Sequence, residues 1–93
     1  MDEILRASIL ARLNREGRAA TYGALAALVG GIAQAVMVGL LIAPPNSWIV
    51  AANNSLPTGY EVAQYDPRLL SSIATNGVLN TGTALNQWLA NNP

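Results

Sequence analysis

The sequence has no cysteine, no histidine, no lysine and no phenylalanine among its 93 residues. The absence of cysteine excludes disulfides and thiol nucleophiles, and the further absence of histidine excludes zinc fingers and imidazole bases. Charged residues make up only 11 % of the chain, less than half of the usual share of about 25 %. Five arginines balance five acids, so the chain has no bulk electrostatic attraction for phosphate groups.

Other side chains that could carry chemistry are also sparse. No pair of carboxylates, general base or set of metal ligands stands out, so we expect a protein that is not an enzyme and binds no cofactor or metal. The lack of cysteine fits a reducing compartment, and the acidic, then amphipathic N-terminus lacks the pattern of a signal peptide. These features predict a cytoplasmic protein with a single domain over residues 1–93.

A long uncharged stretch occupies the middle of the chain. No charged residue occurs between residues 19 and 60, and residues 23–43 are mostly apolar over a length close to the roughly 20 residues of a membrane span. The paired glycines Gly30 and Gly31, the polar Gln34 and the abundance of alanine argue against a span. A small membrane protein that crosses the bilayer at 23–43 is therefore an alternative to a globular domain.

The N-terminal region has a helical pattern. A helix is predicted over residues 2–15, with its arginines mostly off the apolar stripe formed by Ile4, Leu5, Ile9 and Leu13. Gly17 is expected to interrupt this helix.

Two further helices are predicted on either side of a glycine pair. Thr21 can cap a helix over residues 22–29, and Gly30 is well placed to end it. The following apolar residues predict a helix over 32–41, which the prolines at 44 and 45 would stop.

The second half of the chain predicts a short wing and two helices. Residues 47–52 are typical of a strand, and residues 56–60 predict a return or edge strand. A short helix is expected from Pro67, and a final helix over 81–92 with Thr83 as a possible cap and an apolar face of Leu85, Trp88 and Leu89.

The arrangement around the glycine pair favours a helix-turn-helix. Such a motif needs a small residue where the helices cross, a glycine in the turn and a β-branched residue on the second helix, and Ala26, Gly30 and Val36 meet these needs. With the predicted strands, the pattern indicates an α+β, mainly helical fold. We expect a winged helix-turn-helix domain with a short β wing and a C-terminal helix.

Two segments carry a family likeness. The segment "GRAATYGALAALVG" (17–30) resembles the part of the 6-O-alkylguanine-DNA alkyltransferases that leads into the first helix of their winged motif. The segment "NSWIVAANNSLPTGYE" (46–61) resembles the region around their Pro-Cys-His-Arg active site, in the form found in the cysteine-less alkyltransferase-like proteins. The likeness covers roughly residues 4–61.

This resemblance places Trp48 at the position of the alkyl-accepting cysteine. Alkyl transfer is excluded because the chain has no thiol, and recognition of an alkylated guanine turned out of the duplex is what the resemblance leaves. Trp48 would then pack on the base, or it would fill the vacant pocket as a core residue. Tyr60, Asn46 and Ser47 are the other candidates for this lesion pocket.

The resemblance also implies a DNA-binding face. Tyr22 corresponds to the tyrosine that assists rotation of the nucleotide, and Gln34, or alternatively Met37, stands where the family has an arginine that enters the base stack. Arg18 and the helix N-terminus at Thr21 are candidates for phosphate contacts. Where relatives have His and Arg after the cysteine position, this chain has Ile and Val.

Three functions follow as hypotheses. The first is binding of double-stranded DNA that contains an alkylated guanine, to flag the lesion for a repair protein. The second is a protein-interaction module on the same fold, since exposed apolar side chains in the segment 32–42 would favour a partner or self-association. The third is the membrane protein described above.

Overall fold

The chain begins with an amphipathic helix. In the computed structural model, which describes all 93 residues, helix α1 spans Glu3–Glu16 and confirms the predicted first helix. The Asp2 carboxylate accepts a hydrogen bond from the Leu5 N–H, and Gly17 ends the helix in the left-handed conformation. The predicted apolar stripe needs one correction, because Ile4 is 86 % exposed and Arg6 lies on the buried side instead.

A short strand leads directly into the second helix. Strand β1 (Ala19–Thr21) is fully buried, and α2 spans Tyr22–Val29. The Thr21 hydroxyl accepts a hydrogen bond from the Ala24 N–H at 3.1 Å, and Gly30 ends the helix at φ +74°. The predicted cap, helix and helix end are thus all confirmed.

The sheet is small and entirely parallel. Its strand order is β2 (Ile49–Val50), β1, β3 (Val78–Leu79), with Ala20 opposite both Ile49 and Leu79. The predicted strand at 47–52 is confirmed at its centre, but the return strand at 56–60 is wrong. Strand β2 pairs in parallel with the central strand β1 and has no hairpin partner. Both of its side chains are buried, as expected for a strand of a parallel sheet.

The predicted helix over 32–41 is also wrong. Residues 33–39 form consecutive turns. In the wall segment, as we call residues 32–42, the backbone hydrogen bonds between its own residues are all of the i to i+3 kind. The N–H donors are those of Ala35, Val38 and Leu40. Near the end of the wall segment, Gly39 has the left-handed conformation at φ +88°, which a right-handed helix does not contain.

Two helices complete the fold. Helix α3 spans Leu69–Asn76, close to the predicted start at Pro67, and α4 spans Gly82–Asn91. The cap of α4 is Thr81 and not Thr83, because the Thr81 hydroxyl accepts the Ala84 N–H at 3.0 Å. Helix α4 packs mainly on α2.

The core lies between the sheet and the helices, and Trp48 is its largest fully buried side chain. The fold is therefore α+β, with four helices and a three-stranded sheet. The longest helix has 14 residues, and none has the length and apolar character needed to cross a membrane.

Candidate functional site

The main concave feature of the surface is a cavity beside the N-terminus of α2. Its volume is about 880 Å³, and it lies between α2, the wall segment and the loop that follows β2. Most of its lining is apolar, and no charged residue contributes to it. Such a cavity suits an uncharged ligand, because a buried charge would find no partner there.

The cavity brings together most of the residues that the sequence singles out. Thr21 and Tyr22 come from the start of α2, Gln34 and Met37 from the wall segment, and Asn46 and Tyr60 from the two sides of β2; all six line the cavity. These residues are distant in sequence and converge because β2 lies next to β1 in the sheet.

Tyr22 connects α2 to the loop after β2. Its hydroxyl oxygen accepts a hydrogen bond from the Thr58 N–H at 2.9 Å, while its half-buried ring lines the cavity. The neighbouring Thr21 hydroxyl donates to the carbonyl oxygen of Asn80 at 3.3 Å, in addition to capping α2. These hydrogen bonds to Thr58 and Asn80 therefore fix the start of α2, which forms this part of the cavity wall.

Asn46 and Tyr60 form a second polar part of the cavity lining. The Asn46 side-chain amide donates to the carbonyl oxygen of Leu41 at 2.9 Å, and the Tyr60 hydroxyl lies 3.5 Å from the same oxygen. Burial raises the pKa of Tyr60 above its ordinary value of 10.0, partly opposed by a hydrogen bond from the backbone of Ala43. The Tyr60 hydroxyl thus stays protonated at neutral pH and remains a hydrogen-bond donor.

Gln34 and Met37 lie on the wall segment with different exposure. Gln34 is exposed, whereas Met37 is half-buried and packs against the core. An amide can both donate and accept, and a thioether can follow the shape of an apolar ligand. The two side chains therefore offer a polar and an apolar contact on the same wall.

Trp48 lies in the core and does not line the cavity. Its ring is fully buried, its Nε1–H donates to the Asn14 side-chain oxygen at 3.0 Å, and the Arg68 guanidinium lies 5.2 Å from its centroid. Of the two roles considered for Trp48, base stacking and core filling, this position matches core filling. No direct contact between Trp48 and a ligand in the cavity is available in this arrangement.

Ser47 is also away from the cavity. Its fully buried hydroxyl donates to the Pro44 carbonyl at 2.7 Å and accepts from the Asp66 N–H at 2.9 Å. Both of its hydrogen-bonding capacities are used inside the fold. Ser47 therefore links the chain before β2 to the chain before α3.

Arg18 stands apart from the cavity too. It is half-buried just before β1, and its Nε atom is buried without a hydrogen-bond partner. Two other arginines pair with acids, Arg15 with Glu16 at 2.7 Å and Arg68 with Asp66 at 3.0 Å. The positive charge of the molecule is thus not concentrated around the cavity.

Sequence reasoning missed two residues that shape this region. Arg6 donates from Nη1 to the carbonyl oxygens of Val36 and Val38, and Asn14 accepts the indole N–H of Trp48. A signal for Arg6 was present, since positions 6, 9 and 13 have the spacing of one helical face. Asn14 had no comparable signal, because its partners are far away in the sequence.

Comparison with known proteins finds no matching family model, no matching curated protein and no matching solved structure.

Proposed function

We propose that this chain is a non-enzymatic DNA-binding protein whose cavity receives an alkylated guanine turned out of the duplex. The observation that supports this best is the uncharged cavity itself, with aromatic and amide groups at its edges. Its volume of about 880 Å³ falls in the usual range for ligand sites, roughly 300–1,000 Å³. The lesion would then be held for a repair protein, as the resemblance to alkyltransferase-like proteins implies.

The lining matches the chemistry of such a base. An alkylated guanine is planar and uncharged, with donors and acceptors along its edge and an apolar substituent. The amides of Gln34 and Asn46 and the hydroxyl of Tyr60 provide hydrogen-bonding groups, while Met37 provides apolar contact. Extrusion of a base costs a few kcal/mol, which contacts of this kind can offset.

The DNA backbone would be held weakly. Arg18 and the N-terminus of α2 are the proposed phosphate contacts, and neither the cavity nor its rim adds a cation. Each phosphate contact contributes about −0.9 to the slope of log affinity against log salt. We therefore propose a slope between about −1 and −2, small for a DNA-binding protein.

The likeness to a winged helix-turn-helix belongs to this proposal as well. Helix α2 would be the first helix of the motif, and the wall segment would occupy the place of the second helix. The order of α1, β1, α2 and the wall segment supports this correspondence. The hairpin wing has no counterpart, because no strand forms at residues 56–60 and the sheet is parallel.

The test is a fluorescence-anisotropy titration of two labelled duplexes at low salt, identical except for one alkylated guanine. The modified duplex is expected to bind more tightly, and Gln34→Ala is expected to reduce that affinity by about two- to tenfold, the value of one neutral hydrogen bond. Gln87→Ala, an exposed glutamine on α4, is the matched control and should change nothing. Equal affinity for the two duplexes would overturn lesion recognition.

A second candidate rests on a different observation. Four apolar side chains of the wall segment are each at least 51 % exposed: Ile32, Val38, Leu41 and Ile42. Exposed apolar groups clustered on one segment favour a protein partner or self-association. Absence of binding to either duplex, together with a sedimentation coefficient that rises with concentration and is lowered by Ile32→Ser, would favour this function over DNA binding.

A further inference from the structure

Arg6 is a buried cation without an acidic partner. The residue is only 8 % exposed, and the two ion pairs of the molecule involve Arg15 and Arg68 instead. Its Nη1 donates to the Val36 carbonyl oxygen at 2.9 Å and approaches the Val38 carbonyl oxygen at 3.4 Å. Arginine is rarely buried unless its donors are satisfied, and here backbone carbonyls accept hydrogen bonds from Nη1.

These two carbonyls are the ones that a helix would use. In an α-helix over 32–41, the Val36 carbonyl would accept the N–H of Leu40, and the Val38 carbonyl would accept that of Ile42. The Leu40 N–H donates instead to the Met37 carbonyl at 3.3 Å. Each carbonyl oxygen has two lone pairs, but hydrogen bonds from a charged donor are stronger than those from a neutral amide. The turn geometry that faces both carbonyls toward Arg6 therefore competes effectively with the helix.

The competition matters because the wall segment has a helical sequence. Alanine, glutamine, methionine and leucine, which fill much of it, are good helix formers. The Val36 side chain is nevertheless packed in the core, and Met37 and Val38 line the cavity in the turn conformation. A residue on α1, 30 positions away from Val36, thus binds the backbone of the cavity wall.

We propose that Arg6 is a positioning residue that holds the wall segment in turns and keeps the cavity formed. Without Arg6, residues 32–41 wind into the helix that their sequence favours, and the cavity loses its wall. This role does not depend on what the cavity binds. Its tests use no DNA, so its failure and the failure of the proposed function are distinguishable.

The first test compares backbone NMR chemical shifts of the wild type with those of Arg6→Met and Arg12→Met. Arg12→Met is the matched control, because Arg12 lies on the same helix, is half-buried and donates to the Ser8 hydroxyl rather than to the wall segment. Helical Cα shifts at residues 33–40 are expected in Arg6→Met alone. Unchanged shifts in Arg6→Met would overturn the proposal.

A binding measurement extends this test to the cavity. Nile red, a neutral apolar dye, is expected to bind the wild type and Arg12→Met with similar affinity. Arg6→Met should bind about tenfold more weakly, because apparent affinity falls with the fraction of molecules in the competent conformation. Equal dye affinity in all three proteins would contradict a positioning role.

A measurement on the wild type covers the case in which Arg6→Met does not fold. Rotation of a free guanidinium averages the signals of its two terminal nitrogens. The Arg6 bonds to Val36 and Val38 predict separate and slowly exchanging Nη signals for this residue. Averaged Arg6 signals would overturn the proposal without any variant.

Discussion

At the scale of single residues, the hydrogen bond of Trp48 supports its role as a core residue. The indole is fully buried, and its N–H is satisfied by the Asn14 side-chain oxygen at 3.0 Å. The guanidinium of Arg68 donates to the Asn14 carbonyl at 2.8 Å and lies over the indole ring. These contacts join the end of α1 to β2 and to the start of α3, so Trp48 and its partners stabilise the junction of three elements.

Asn14→Ala should leave the buried indole N–H without an acceptor. We expect a loss of about 1–3 kcal/mol in the free energy of unfolding, the cost of an unsatisfied buried polar group. Urea denaturation followed by tryptophan fluorescence measures this loss. Asn53→Ala, an exposed asparagine in a turn, is the control and should cost much less.

The pairing can be isolated by a second substitution. In a Trp48→Phe background there is no indole N–H to leave unsatisfied, so Asn14→Ala should cost less there than in the wild type. Equal costs in the two backgrounds would mean that the hydrogen bond between Asn14 and Trp48 contributes nothing to stability.

At the scale of elements, the contact between α2 and α4 depends on the glycine at position 82, which has no side chain. A Cβ atom at Gly82 would lie 2.7 Å from the Cβ of Ala27, closer than two carbon atoms can approach. Helix α4 therefore packs directly on α2 at its first turn. The close approach matters for the site, because α2 carries Thr21 and Tyr22 at its N-terminal end.

Gly82→Ala should destabilise the protein, although alanine is the better helix former. Forcing the helices apart is expected to cost about 1–3 kcal/mol of unfolding free energy, as for other overpacked sites. Gly23→Ala is the matched control, since Gly23 is also in the first turn of a helix and a Cβ there meets nothing within 4 Å. It should stabilise by about 0.4–1 kcal/mol.

The outcome to check is the sign of each change in thermal or chemical denaturation. Destabilisation by Gly82→Ala should be reduced in a background of Ala27→Gly, which removes the atom it would strike. If Gly82→Ala is as stable as Gly23→Ala, the two helices are farther apart than a Cβ–Cβ distance of 2.7 Å implies.

At the scale of the whole molecule, the charge composition limits how stability responds to pH. The chain has no histidine, and its acids are two aspartates and three glutamates. No side chain with an ordinary pKa changes its charge between about pH 6 and pH 8. The unfolding free energy is therefore expected to be flat in that range.

The loss of stability at low pH should depend on Asp66. The hydrogen bond from the Arg68 side chain lowers the pKa of the Asp66 carboxyl below its ordinary value of 3.8. Because the pKa is lower in the folded state, this pair stabilises the fold above pH 3.8 and loses that effect as the pH falls through the folded-state value.

Asp66→Asn should therefore flatten the loss of stability in acid. Urea denaturation at several pH values below 4 measures this, with Glu16→Gln as the control in an exposed ion pair. If Asp66→Asn loses stability at low pH as steeply as the wild type, other carboxyls determine that loss.

The elements that could be predicted from the sequence are those with local causes. The Thr21 cap and the glycine at the end of α2 act within a few residues, and their predictions are confirmed. The helix α1 is confirmed as well, although its predicted apolar stripe wrongly included Ile4. Tyr22 and Gln34 were predicted on a DNA-binding face and Tyr60 in a separate lesion pocket, and only the tertiary structure brings the three to one cavity. Their chemistry with a ligand stays a prediction.

By itself the sequence determined the composition, the helices α1 and α2 with their ends, and the absence of thiol and imidazole chemistry. The tertiary structure decided the partner of β2, the burial of Trp48 and the turns of the wall segment. The physical reason is distance along the chain. The bonds from Arg6 to Val36 and from Trp48 to Asn14 span 30 and 34 positions, so neither strand pairing nor buried polar partners can be read from local pattern.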